Sequence, residues 1–266
     1  MLKEPHIIDV STLGLLGIHG GGAKALLQGQ LTCHMDHVND QSLTLAAHCN
    51  PKGRVISFGR LFLYENSYYF QMPLESVAIA MNALQKYAVF FKATLSDDSQ
   101  KFSRVIAKEA PIGFHQGLIL PYYAGFKEYI STHPFEGGND SFTWKHLDIA
   151  ANIPNIYPET TEKFLPHELN LHEIGAISFN KGCFTGQEII ARMQYRGKLK
   201  TSLHHGIVHE KPLKGQDIYD ELGKPTGMIV DFCSHENEYE VLFTSQSKAS
   251  FLDSTKTHRI HNNISS

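Results

Sequence analysis

Residues 42–90 run through three strand patterns and end in a helix pattern, and few packed units accommodate that order. Residues 42–47, 55–64 and 67–72 are rich in β-branched, aromatic and aliphatic side chains, which fit a pleated surface. Glu65-Asn66 separates the last two and predicts a hairpin, while Pro51-Lys52-Gly53 is the turn before the second. From residue 74 to 90, Val77, Ile79, Met81, Leu84, Tyr87 and Ala88 recur near helical spacing, making this the longest helix in prospect.

The flanks extend this into an α+β body. Residues 10–20 mix apolar and small residues, Gly20-Gly21-Gly22 breaks the run, and residues 23–30 read as a short helix closed near Gly29. The glycines beside Lys24 do not make a phosphate-binding loop. Ala23 stands where G-x-x-x-x-G-K-[ST] needs its second glycine, and Ala25 where it needs a hydroxyl. Residues 95–143 alternate short apolar runs with turn residues, and residues 144–151 predict a second short helix ended before Pro154. After Lys200, residues 203–208, 227–232 and 239–243 read as short strands of a small β-barrel or sandwich. No internal repeat is present.

Charge and cysteine usage narrow the function classes. A chain of 266 residues with 42% hydrophobic and 19% charged residues is long enough for a sizeable core, and a net charge of −3 argues against a chain-wide polyanion-binding surface. The first ten residues have neither an apolar signal core nor a transit-peptide look, and residues 110–126 are broken by Pro and Gly, so the expectation is a cytoplasmic protein without a membrane span. Cys33, Cys49, Cys183 and Cys233 form no C-x-x-C pair, and Cys33-His34-Met35-Asp36-His37 matches no common metal spacing and reads as a polar loop.

The segment Lys181-Gly182-Cys183-Phe184-Thr185-Gly186-Gln187-Glu188 carries the chemistry. Thr185 and Glu188 have capping-box spacing, so a helix is predicted to start at Thr185, with Ile189, Ile190 and Met193 on its apolar face and Gly197 closing it. Cys183 then lies just ahead of a helix N-terminus and beside Lys181, and both features favour thiolate. Two readings stand: a reactive or metal-ligating thiol, or a small apolar side chain packed under the loop. Between Gly175 and His209, Glu188 is the one acid against Lys181, Arg192, Arg196, Lys198 and Lys200. Such a patch would draw an anionic partner, a polyglutamyl tail or an RNA backbone, unless these bases simply complement a solvated helix end.

The octapeptide resembles the K-G-C-[YF]-x-G-Q-E motif of the YgfZ family, relatives of the glycine-cleavage aminomethyltransferases. Collinear blocks extend the resemblance over roughly residues 10–232: Leu27-Gln28-Gly29-Gln30-Leu31-Thr32, Ala46-Ala47-His48-Cys49 with Pro51-Lys52-Gly53-Arg54, Lys86-Tyr87-Ala88-Val89-Phe90, Phe164-Leu165-Pro166 with Leu169-Asn170-Leu171, and Ile177-Ser178-Phe179. It implies an aminomethyltransferase-like fold in which residues 1–200 form two interwoven α+β subdomains that bind folate and residues 201–266 a C-terminal β-barrel. It implies a tetrahydrofolate or related ligand, with Trp144, Gln187, Glu188 and Arg192 as candidate contacts. It also implies support of iron-sulfur enzymes, including tRNA-modifying ones, with Cys183 as functional thiol or shared ligand of a transient cluster and Lys181 beside it. Two departures bear on this. Residues 41–64 hold no carboxylate, Ser57 and Phe58 standing where aminomethyltransferases carry a catalytic Asp, so methylene transfer of that type is disfavoured. Ala150 stands where relatives place a pterin-gripping Glu. A glycine-cleavage-type aminomethyltransferase and an RNA-binding accessory protein are the alternatives.

Overall fold

The computed structural model describes residues 7–135, 143–197, 200–220, 222–246, 251–252 and 259–262. In chain order the elements are β1 (Ile8–Asp9), β2 (Leu13–His19), α1 (Ala23–Gln30), β3 (Thr44–Cys49), β4 (Val55–Tyr64), β5 (Ser67–Pro73), α2 (Val77–Phe91), β6 (Thr94–Asp97), β7 (Ser103–Ala107), β8 (Leu118–Pro121), β9 (Lys127–Ser131), α3 (Trp144–Ala150), α4 (Gln187–Arg196), β10 (Ser202–Val208), β11 (Asp217–Tyr219), β12 (Pro225–His235), β13 (Glu238–Ser245), β14 (Phe251–Leu252) and β15 (Arg259–Asn262).

The three strand patterns of residues 42–72 pair as consecutive antiparallel strands of a five-stranded sheet ordered β3-β4-β5-β2-β6. The β4–β5 hairpin turns at Glu65 and Asn66, both left-handed with φ of 47° and 62°, the two-residue geometry that matches strand twist. The central strands read as nearly unbroken apolar runs because both faces of the sheet are covered. Leu16, Leu61 and Phe70 pack under α1 and α2 with Leu26, Leu84 and Ala88. Their neighbours Leu15, Phe62 and Tyr69 face the other way, onto Phe102, Leu118 and Ile130. Those last residues belong to or adjoin a four-stranded sheet ordered β1-β7-β9-β8.

The strands after residue 200 close into a barrel, β10-β13-β12-β11-β14-β15, with β10 also pairing β15. A bulge at Val230 in β12 breaks the alternation and leaves Ile229, Val230 and Asp231 all buried. Val230 and Leu242 join Phe58, Ile149, Phe164 and Ile190 in one core, so barrel, first sheet and the connecting segment share a packing centre.

Charged groups are buried at the same junction. Arg60 of β4 and Asp148 of α3 form a bidentate ion pair, 5% and 0% exposed at their side chains. Tyr122 donates to Asp148 at 2.9 Å, and Asn155 bridges Asp148 at 3.1 Å to Asp231 of β12 at 3.2 Å. Tyr157 and Lys145 also reach Asp231, at 3.2 and 3.5 Å. Removing one member strands its partner's charge, which costs about 3–5 kcal/mol, a large share of the roughly 5–15 kcal/mol that stabilises a typical domain. Asp148→Ala is therefore expected to lower the unfolding free energy in urea by about that amount, and Arg60→Met added to Asp148→Leu to recover part of it.

Candidate functional site

The octapeptide enters from an irregular segment and ends in the first turn of α4. Three sequence blocks hold that segment by backbone and side-chain hydrogen bonds. Thr32 exchanges hydrogen bonds with Ala47 and accepts from the Ser178 amide at 2.9 Å, while its hydroxyl donates to the Ala176 carbonyl at 2.6 Å. Thr185 donates its amide to the Gly29 carbonyl at 3.0 Å and its hydroxyl to Gln30 Oε1 at 3.1 Å.

The amide hydrogen bond explains why the predicted capping box does not form, since Glu188 would have to accept from that same N–H. Thr185 is committed to the end of α1, and the helix begins one residue later, with Gly186 as N-cap at φ 83°. The left-handed glycine is enforced by contact: a Cβ there would lie 2.6 Å from the Asn50 carbonyl oxygen and 3.0 Å from Gly53 Cα. Glu188, freed from the cap, pairs with Arg192 at 3.1 Å on the exposed side of the helix. Gly197 follows α4 as predicted but in extended conformation.

Lys181 is buried and does not serve Cys183. Its ammonium donates to the carbonyls of Leu31 and Cys33 at 2.6 and 2.7 Å and lies 5.1 Å from the centroid of the Phe184 ring. The expected lysine cation beside the thiol is thus spent on the end of α1. Burial, opposed by Cys33, brings the Lys181 pKa down to about 8. Of the four cysteines, Cys183 is exposed and the other three are buried. Burial pushes Cys33 up to about 11 and Cys49 and Cys233 well above the usual thiol range. The reading of Cys183 as a packed apolar residue does not hold.

Trp144 is 1% exposed and packs with Ile8, Leu13, Ile106 and Phe126, its indole N–H donating to Thr12 at 2.8 Å. It is a core residue and offers no free aromatic face. Gln187 opens α4, and Arg192 is held by Glu188. The basic stretch shrinks accordingly, since Lys181 is buried, and Lys198 lies outside the described residues. Ala150, the noted departure from the resemblance, is exposed at the end of α3.

Beside α3 the structure brings together residues that the sequence reading passed over. A cavity of about 340 Å³ is lined by Lys145, His146, Lys211, Phe232, Ser234 and Tyr239, among others. Below it Asp231 is fully buried, and burial raises its pKa against the pull of Lys145. A carboxylate inside the apolar run Met228-Ile229-Val230-Asp231-Phe232 was the available signal, as was Asp148 within α3.

Gly186→Ala is expected to lower Tm through roughly 1–3 kcal/mol of strain, while Gly182→Ala, whose added Cβ meets nothing within 4 Å, leaves it unchanged. For Lys181 the unfolded chain keeps the ordinary 10.5, so between about pH 8 and 10.5 the unfolded state binds the additional proton. Stability from this group rises as pH climbs through that window, and wild type gains on Lys181→Met in urea denaturation as pH goes up.

No family model matches the chain. It is 30% identical to the tRNA-modifying protein YgfZ of Sodalis glossinidius over 87% of this chain and 81% of that protein. To the protein of the same name from Colwellia psychrerythraea it is 28% identical, over 88% of this chain and 82% of the relative. An uncharacterized protein of Haemophilus influenzae is 34% identical over 74% of this chain and 71% of its own length. The fold matches the glycine cleavage system aminomethyltransferase T of Bartonella henselae with a TM-score of 0.68 at 12% identity, over 96% of this chain and 84% of that one. Fold, octapeptide and this extended similarity agree, and the chain belongs to the YgfZ family.

Proposed function

We propose that this protein binds a folate and serves tRNA modification, with Cys183 as its functional thiol. The observation that carries the reading is the contrast among the cysteines: three are sealed in cores, and Cys183 stands exposed between a buried lysine and a buried phenylalanine. Relatives named as tRNA-modifying proteins over most of the chain support the tRNA side of it.

For folate, support comes from the cavity beside α3. Phe232 and Tyr239 offer aromatic faces to a pterin or benzoyl ring, and Lys211 offers a cation to a carboxylated tail, Lys145 being shared with Asp231. At about 340 Å³ the cavity lies at the small end of ligand sites, so it suits the ring portion with the tail at the mouth. These residues fit the ligand better than Trp144, which is committed to the core. A reduced folate, when bound, supplies one-carbon carrier chemistry. Methylene transfer of glycine-cleavage type remains disfavoured, because Ser57 is buried and Phe58 packs in the core where a proton-accepting carboxylate would be needed.

Service to iron-sulfur enzymes fits a thiol that supplies one ligand while a client or small molecule supplies the rest, since one cysteine cannot hold a cluster. Among the described residues no three His, Cys, Asp or Glu gather for a metal.

In a strain lacking its own copy, wild type is expected to restore the modified-tRNA level and Cys183→Ser to fail; equal restoration would falsify the role of the thiol. Calorimetric titration with tetrahydrofolate is expected to show binding weakened about tenfold, ~1.4 kcal/mol, in Lys211→Met and in Tyr239→Ala. Unaltered binding in both would remove the folate from this cavity.

A further inference from the structure

Successive residues of β4 point to opposite faces of the sheet. Phe58 and Arg60 look toward the barrel and the buried ion pair, whereas Ser57 and Leu61 look toward α2. On this second face a cavity of about 230 Å³ opens between the end of β3, the Asn50–Gly53 turn and α2, with Thr185 of the octapeptide at its edge.

At its floor His48 is 1% exposed, and its Nδ1 has no hydrogen-bond partner. Directly across the ladder Ser57 is wholly buried, and its hydroxyl also lacks one. Ser57 does not line the cavity, but His48 does, and an unpaired buried imidazole nitrogen at a cavity wall calls for a polar partner. Burial, aided by the charge of Lys86, holds the His48 pKa down to about 4, so the imidazole is neutral at physiological pH, able to donate from one nitrogen and accept at the other.

The mouth carries both signs of charge. Lys86 on α2 lies 4.9 Å from the Tyr87 ring centroid and forms no ion pair among the described residues. Glu162 is exposed and accepts from the Asn50 side-chain amide at 2.9 Å through one carboxylate oxygen. A simple anion entering here meets the like charge of Glu162, and a simple cation meets that of Lys86. The volume is below the roughly 300–1,000 Å³ of drug-sized sites. Ala83 and Ile56 supply an apolar wall.

We infer that this cavity binds a small zwitterion of amino-acid size, its carboxylate toward Lys86, its ammonium toward Glu162, and one hydrogen-bonding group against the His48 imidazole. The site is separate from the folate cavity, which lies beyond the opposite face of β4.

The test is an NMR titration of the full chain, following the His48 imidazole resonances, with glycine, L-alanine and L-serine, and with acetate and methylammonium as half-ligands. At least one amino acid is expected to shift His48 saturably and to bind about tenfold more tightly than either half-ligand. Lys86→Met and Glu162→Gln, both at exposed positions, should each weaken it while tetrahydrofolate binding in the same variants stays at the wild-type value. Acetate or methylammonium binding as tightly as the amino acids, no response of His48 to any of them, or indifference to both substitutions would each overturn the proposal.

Discussion

The Arg60–Asp148 pair is the contact on which the architecture turns. Each charge is sealed from water and stable there only against the other, so β4 and α3 have one permitted alignment. Through Tyr122, Asn155 and Asp231 that alignment passes to the segment before β8's partner strand β9, to the linker after α3, and to the barrel. Apolar cores tolerate sliding and repacking, but a shared set of directed hydrogen bonds does not. The barrel is therefore registered against the first sheet by polar geometry as well as by the common core around Phe58 and Val230.

The octapeptide loop is fixed differently, by backbone bonds from distant blocks. Gly29, Leu31 and Cys33 all lend carbonyls to it, and Thr32 ties residues 47, 176 and 178 together. Blocks separated by more than a hundred residues in sequence are one neighbourhood in space, which is a physical reason for them to occur as a set. Gly186 shows how tight that neighbourhood is, since even a methyl group there would collide with the Asn50 carbonyl.

Local pattern was a good guide where local physics decides. The hairpin at Glu65-Asn66, the strands on either side and the helix to Phe91 follow from side-chain periodicity and turn chemistry, and the barrel strands likewise. The capping box misled because the Thr185 amide, from which Glu188 would accept, donates instead to the Gly29 carbonyl on α1. Lys181 misled in the same manner: adjacency in sequence put it beside Cys183, and folding turned its ammonium to carbonyls about 150 positions away. Trp144 kept its place at the start of α3 but not its expected exposure, because Ile8 and Ile106 close over it from another sheet. His48 gave no sign in sequence of its isolation, for one histidine in an apolar strand looks alike whether satisfied or orphaned.

The stretch Gly182–Cys183 spans only two residues between fixed ends, the buried Lys181 on one side and the buried Phe184 on the other. So short an arch cannot carry the thiol far from its two anchors, whatever conformation Gly182 takes. The thiol is thus offered at a set place rather than on a long tether, and a partner that reaches it must also meet the surface flanking the arch.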